Sequence, residues 1–174
     1  EAGVFICDVA GHGVRAALVT AMLRALVEEL KSVATNPGEF LTRLNRDIQT
    51  MLRPSGSPLL TTAFYMVADS KNRQVCYANA GHPKPLHIKR KPYEVVPLVT
   101  ASNNNTAATT RNPQPALGLF PNATYQTSTV GLSPGDVLML FTDGLYEVTN
   151  SRDELYTQAM LIDEVKHIGK MPAG

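Results

Sequence analysis

The pattern of apolar and polar positions predicts a strand and then two helices at the start of the chain. A short apolar run at 4–9 is typical of a strand, and apolar residues recur at helical spacing over 14–34. The residues assigned to the buried face of this first helix are Leu18, Met22, Leu26 and Leu30. A second helix is predicted to begin at Asn36 and Pro37, because Asn is a favoured N-cap and Pro a favoured first helical residue. Its apolar face comprises Phe40, Leu41, Leu44, Ile48, Met51 and Leu52. Pro54 is expected to end it.

Beyond residue 58 the hydrophobic period changes from that of helices to that of strands. Runs rich in strand-forming residues occur at 61–69, 74–80, 85–89, 93–98, 124–130 and 136–143. Polar turns join the first four runs into two predicted hairpins, and a weaker helical pattern at 154–168 ends the chain. Two helices followed by hairpin-linked strands predict the α+β class, with helices packed on a mostly antiparallel sheet.

Length and composition indicate the number of domains and argue against a nucleic-acid partner. The 174 residues fit a single domain, and a net charge of +1 gives no sign of a nucleic-acid-binding surface. The segment 100–115 is rich in Asn, Thr, Ala and Pro without an apolar period, which predicts a long flexible loop.

The cysteines and the distribution of apolar runs indicate a compartment. Cys7 and Cys76 lie in apolar strand-like runs, so we predict buried thiols in a reducing compartment rather than a disulfide framework or a zinc site. No apolar run reaches membrane-spanning length, and we expect no secretory signal because the chain lacks a basic segment ahead of a short apolar run. We therefore expect a cytoplasmic location, either for a whole protein or for the cytoplasmic part of a membrane-bound sensor. Because the chain starts at Glu1 without Met, we expect it to be part of a longer protein.

Two aspartates provide the candidate chemistry. Asp8 follows the first apolar strand and precedes a glycine-rich turn, and Asp143 follows the run at 136–143 and precedes Gly144. Short carboxylates at strand ends, next to backbone that can approach closely, suit a hard divalent cation. Two such strands side by side would hold two ions and a bridging water, which is a nucleophile suited to attack on phosphorus. The alternative is that both residues are ordinary turn aspartates.

Five sequence blocks resemble a known family in their order and spacing. They are DVAGHGVRAAL, TTAFY, YANAGHPKPL, ALGLF and GDVLMLFTDGLYEVTN. Over residues 4–150 they resemble the SpoIIE-like branch of the PPM (protein phosphatase 2C-like) family of metal-dependent serine/threonine phosphatases. The resemblance implies an α-β-β-α sandwich of two mostly antiparallel sheets flanked by helices. It also implies that 1–174 is a single phosphatase domain truncated at both ends and lacking its terminal strands.

The resemblance implies a metal site and a substrate class. Asp8 and Asp143 would be the catalytic carboxylates, holding two Mn²⁺ or Mg²⁺ ions together with the backbone carbonyl of Val9. Gly144 would allow the close turn. The substrate would be a phosphoserine or phosphothreonine on a regulatory protein, such as an anti-sigma-factor antagonist. A sensor or receiver domain would precede the phosphatase domain in the native protein.

The family carries further acidic residues, one upstream and an Asp-Asp pair near its C-terminus, which this chain does not contain. Two alternatives to an active phosphatase therefore stay open. One is a PPM-fold domain that is incomplete or degraded and acts as a regulatory or interaction module. The other is an unrelated α+β binding module in which both aspartates are accidental. An unpaired sheet edge would also favour pairing with a second copy, as a homodimer.

The histidines and a basic cluster are weaker candidates. His12 lies in the glycine-rich turn, where it would contact the phosphate or donate a proton, or would only cap the turn. For His82 we predict a structural role with Asn79. The basic residues Lys84, His87, Lys89, Arg90 and Lys91 are interpreted as a solvated hairpin tip rather than a docking site.

Overall fold

The computed structural model describes residues 1–52, 60–100, 114–149 and 153–168. Its strands are β1 (Ala2–Val9), β2 (Thr61–Asp69), β3 (Gln74–Ala80), β4 (Leu86–Arg90), β5 (Tyr93–Pro97), β6 (Ser128–Gly131), β7 (Val137–Met139), β8 (Val148–Thr149) and β9 (Leu155–Tyr156). Its α-helices are α1 (Val14–Glu29), α2 (Pro37–Leu52) and α3 (Gln158–Ile168). The chain divides into two compact units: the first comprises Glu1–His82 and Thr100–Gly131, and the second comprises Pro83–Val99 and Leu132–Gly174.

The first unit is an antiparallel sheet covered on one face by helices. Its strand order is β1-β2-β3-β6, so β1 is an edge strand within the described residues. The tight turn between β2 and β3 forms where the Asp69 carboxylate accepts hydrogen bonds from the backbone of Lys71 at 2.9 Å and Asn72 at 3.1 Å. This confirms the predicted hairpin.

The second helix begins where the sequence predicts. Asn36 Oδ1 accepts a hydrogen bond from the backbone N–H of Glu39 at 3.2 Å, and Pro37 is the first helical residue. Phe40, Leu41, Leu44 and Ile48 are buried, as predicted. Met51 is 47% exposed, which corrects its assignment to the buried face. Pro54, the predicted end of the helix, lies outside the described residues.

The buried face of α1 differs from the prediction. Leu18 is 60% exposed, and the buried positions are Val19, Leu23 and Leu26, followed by Leu30 in a short 3₁₀ turn. A spacing of four residues advances the direction of a side chain by about 400°, so the predicted series drifts around the helix. The observed spacings of four, three and four keep the apolar residues in one stripe that faces the sheet.

Three aromatic rings join the edge strand to the helices. Phe40 on α2 stacks on Tyr65 of β2 at a ring separation of 4.3 Å, and Phe5 of β1 meets Phe40 edge-on at 6.0 Å. The Tyr65 hydroxyl donates a hydrogen bond to the carbonyl of Ala34 at 2.8 Å. The core of the first unit therefore ties β1, β2 and both helices together.

The second unit has its own sheet and hydrophobic cluster. The strand order is β5-β4-β7, all antiparallel, and β8 and β9 form a separate two-stranded ribbon. Leu161 of α3 is buried with Leu86, Val95 and Phe141. The Tyr93 hydroxyl also donates to the carbonyl of Val165 at 2.9 Å, which fastens α3 to β5.

Several predicted strand and helix limits are wrong. The run at 136–143 forms a strand only over β7: a turn closed by the Asp136 side chain and the N–H of Ser133 precedes it, and a 3₁₀ turn begins at Asp143. The run at 124–130 forms only β6, and the last helix begins at Gln158 because Leu155 and Tyr156 pair with β8. Most of the predicted flexible loop, 101–113, lies outside the described residues.

The predicted fold class, α+β with helices on antiparallel sheets, is confirmed for the described parts of both units. In those parts, none of the helices is long and apolar enough to cross a membrane.

Candidate functional site

Asp8 lies one residue before the end of β1, with a half-buried side chain. Neighbouring residues of a strand point to opposite faces, and Cys7 and Val9 pack against the core of the first unit. Burial, with a smaller contribution from the Asp8 charge, raises the pKa of the Cys7 thiol. Both cysteines are free thiols, but each is only partly buried, which corrects the prediction that both are buried. Cys7 packs against the core of the first unit. The Asp8 carboxylate is therefore on the sheet face opposite the helices.

The turn after Asp8 is built from glycines. Gly11 and Gly13 have φ values of 99° and 80°, which residues with a side chain rarely adopt. Between them His12 is exposed, and Gly13 occupies the N-cap position of α1. His12 is thus not the N-cap residue, and its role in substrate binding stays a prediction.

A network of hydrogen-bonded polar side chains lies next to Asp8. Asp8 is directly opposite Thr62 in the β1–β2 pair, and Thr62 Oγ1 lies 2.9 Å from Nδ1 of His82. The Asn79 side chain donates to the His82 carbonyl at 2.9 Å and accepts the His82 N–H at 2.8 Å. The predicted structural role of Asn79 at His82 is confirmed. Thr62 was missed, since only the strand register shows which residue faces Asp8.

Asp143 lies in the second unit, as the first residue of a 3₁₀ turn over Asp143–Leu145. Its carbonyl accepts the N–H groups of Tyr146 at 2.9 Å and Glu147 at 2.8 Å, and its side chain is half-buried. Burial, followed by the charges of Asp143 and Glu147, raises the pKa of Tyr146. Three residues separate β7 from Asp143, so the expectation that Asp143 ends a strand is wrong.

The start of β7 is fixed by a buried pair. His87 Nε2 lies 2.8 Å from Asp136 Oδ2, and Oδ1 of the same carboxylate accepts the N–H of Arg90 at 3.1 Å. Lys89 forms an ion pair with Glu94 at 2.7 Å. His87 is buried, so its assignment to a solvated hairpin tip is wrong, and Lys89 is partly exposed but paired. For the other residues of the basic cluster this interpretation stays a prediction.

The donor atoms of the predicted site are suited to magnesium or manganese. Asp8 and Asp143 offer carboxylate oxygens and Val9 a carbonyl oxygen, and Mg²⁺ usually takes one or two protein carboxylates and keeps several waters. Among the residues that the structure describes, no three His, Cys, Asp or Glu side chains group together as a metal site. The joint assignment of Asp8 and Asp143 to one site stays a prediction.

Comparisons with known proteins agree with these features. A family model described as Stage II sporulation protein E (SpoIIE) matches residues 1–173. The phosphoserine phosphatase RsbP of Bacillus subtilis (strain 168) is 26% identical over 150 residues, which are 86% of this chain and 34% of RsbP. The chain spans about a third of the length of the curated relatives it matches.

Solved structures show the fold. The SiaA-PP2C domain of Pseudomonas aeruginosa aligns with a TM-score of 0.73 at 22% identity, over 98% of this chain and 61% of that domain's chain. A structure of RsbX in complex with magnesium aligns with a TM-score of 0.55 at 19% identity, over 96% of this chain and 73% of RsbX. The chain therefore has a PP2C-type fold, as the sequence blocks imply.

Proposed function

This chain belongs to the SpoIIE family, a branch of the PPM phosphatases, and from that premise we propose that it is the core of a metal-dependent protein serine/threonine phosphatase. The observation that carries the proposal is the position of Asp8. Its half-buried carboxylate is near the end of β1, on the face away from the helices and beside a glycine turn. This placement within the matched residues suits a cation ligand better than an ordinary turn aspartate.

The metal ligands in this proposal are Asp8, the Val9 carbonyl and Asp143. When bound, Mn²⁺ or Mg²⁺ would lower the pKa of a water molecule so that it attacks phosphorus without a covalent enzyme intermediate. The exposed His12 would contact the phosphate or donate a proton to the departing serine or threonine oxygen. Gly11 and Gly13 keep the backbone of this turn open to the substrate.

The proposed substrate is a phosphoserine or phosphothreonine on a regulatory protein, of the anti-sigma-factor-antagonist type. The name of RsbP, a phosphoserine phosphatase, supports this substrate class. The complete protein would carry a sensor or receiver domain ahead of this chain and would act in the cytoplasm. The edge strand β1 offers a surface for a homodimer.

The test is a calorimetric titration of the full-length protein with Mn²⁺, together with turnover on a phosphoserine peptide. We expect Asp8→Asn and Asp143→Asn each to abolish turnover and weaken Mn²⁺ binding while the circular dichroism spectrum is unchanged. Asp163→Asn is the matched control, because Asp163 is exposed on α3 and forms an ion pair with Lys166 on the same helix.

Near-normal turnover of either active-site variant would overturn the metal assignment. Mn²⁺ binding without turnover on any phosphopeptide would favour the alternative, a PPM-fold regulatory module. If only Asp8→Asn loses Mn²⁺ binding, the assignment of metal ligands would be restricted to Asp8 and Val9 in the first unit.

A further inference from the structure

The strand register places one threonine directly beside the proposed metal ligand. Asp8 and Thr62 are opposite each other in the antiparallel β1–β2 pair. Side chains of such residues lie on the same face, with Cβ atoms about 4.5–5.5 Å apart. Thr61 is the next residue along β2, so its side chain points to the other face. Thr62 is therefore the β2 side chain that faces the Asp8 carboxylate.

A buried histidine lies within hydrogen-bonding distance of the Thr62 hydroxyl. His82 Nδ1 lies 2.9 Å from Thr62 Oγ1, and His82 is only 4% exposed. The Asn79 amide binds both backbone groups of His82, which fixes the second residue beyond the end of β3. The hydroxyl is thus anchored by a side chain that is itself held at its backbone.

We propose that Thr62 and His82 form a positioning pair that orients the Asp8 carboxylate for the cation. A hydroxyl has one proton and two acceptor lone pairs, whereas an ionised carboxylate only accepts. When Nδ1–H of His82 donates to Thr62 Oγ1, the hydroxyl proton is left to donate to Asp8. One carboxylate oxygen is then held, and the remaining lone pairs face the cation. The inference rests on the proposed function, because it needs Asp8 to be a metal ligand.

An experiment can distinguish a positioning role of Thr62 and His82 from the ordinary packing of a buried histidine. A purely structural contact would change the free energy of unfolding and leave the affinity for metal unchanged. A positioning pair changes the metal affinity itself, since partners that orient metal ligands typically contribute 10–100-fold to it.

The experiment measures the Mn²⁺ dissociation constant of the full-length protein by calorimetry for four variants. Thr62→Val removes the hydroxyl and keeps the branched shape, so we expect binding to weaken about tenfold or more. Thr62→Ser keeps the hydroxyl, and its affinity should stay within about twofold. Thr61→Val is the matched control, because the Thr61 hydroxyl is buried and has no hydrogen-bond partner in the described structure. Asp8→Asn tests the ligand itself.

Turnover as a function of Mn²⁺ concentration gives a second readout. Saturating Mn²⁺ should restore most of the turnover of Thr62→Val and none of that of Asp8→Asn. Normal affinity in Thr62→Val, with binding lost in Asp8→Asn, overturns the positioning pair and leaves the proposed function intact. Absence of Mn²⁺ binding in the parent protein, or equal binding in Asp8→Asn, overturns both.

Discussion

His87 Nε2 lies 2.8 Å from Asp136 Oδ2, and the two side chains are only 2% and 4% exposed. The same carboxylate accepts N–H groups from Ser133 at 2.9 Å and Arg90 at 3.1 Å. One aspartate thus joins β4 to the turn that opens β7. Since β7 leads to Asp143, the second unit depends on this carboxylate for the geometry of its proposed ligand.

Replacing Asp136 should destabilise the protein. Asp136→Asn removes the charge that strengthens three hydrogen bonds, and we expect a loss of about 1.5–3 kcal/mol in the free energy of unfolding. Urea denaturation measures it, and Asp163→Asn on the exposed face of α3 should change it by no more than about 0.5 kcal/mol. Equal denaturation midpoints for the two variants would contradict this role of Asp136.

The same carboxylate predicts a dependence of stability on pH. Hydrogen bonds from the backbone of Ser133, from His87 and from the backbone of Arg90 hold the pKa of Asp136 below its ordinary value of 3.8. A carboxyl whose pKa is lowered by folding stabilises the protein above its unfolded-state pKa, and this contribution is lost as the pH falls through the lower folded value. Urea midpoints below pH 4 should therefore fall less steeply for Asp136→Asn than for the parent protein. Parallel curves would show that Asp136 does not titrate in this way.

Gly38 is expected to tolerate no side chain. A Cβ atom at this position would lie 2.6 Å from the Tyr125 carbonyl oxygen and 2.7 Å from the Thr127 nitrogen, both backbone atoms. We expect Gly38→Ala to lower the free energy of unfolding by about 1–3 kcal/mol, because one segment has to move away from α2. Gly131→Ala is the control, since among the described residues, its chain neighbours aside, no atom lies within 4 Å of its added Cβ. A stable Gly38→Ala variant would mean that the segment at 125–127 is not held against α2.

His12 should affect turnover more than metal binding. The residue is exposed between Gly11 and Gly13, at the start of α1. If it donates a proton to the leaving group, His12→Ala should lower kcat by roughly 100-fold or more, with an unchanged Mn²⁺ dissociation constant. His167→Ala, an exposed position on α3, serves as the matched control. An unchanged kcat would mean that His12 contributes to the conformation of the turn and not to catalysis.

Local signals in the sequence predicted the elements better than their buried faces. Asn36 and Pro37 mark the start of α2 because capping depends on residues adjacent in the chain. The buried stripe of α1 depends on the direction in which the sheet approaches, so apolar residues such as Leu18 could not be sorted by period alone.

The candidate site shows the same limit. Asp8 was identified because it ends an apolar run beside glycines. Thr62 meets Asp8 only through the register of β1 with β2, and it meets His82 only through the turn after β3; both contacts are distant in sequence. The start of β7 was likewise hidden, because it depends on the Asp136 turn rather than on strand propensity.

The aromatic cluster of Phe5, Phe40 and Tyr65 has a consequence for local opening. Edge strands usually exchange their amide hydrogens through low-energy fraying, without unfolding of the rest of the sheet. Here the Phe5 ring lies 6.0 Å from that of Phe40, so releasing the middle of β1 also exposes part of the α2 interface. The amides of β1 near Asp8 should therefore exchange as slowly as those of β2. The strand that carries the proposed ligand would open only together with the helix layer.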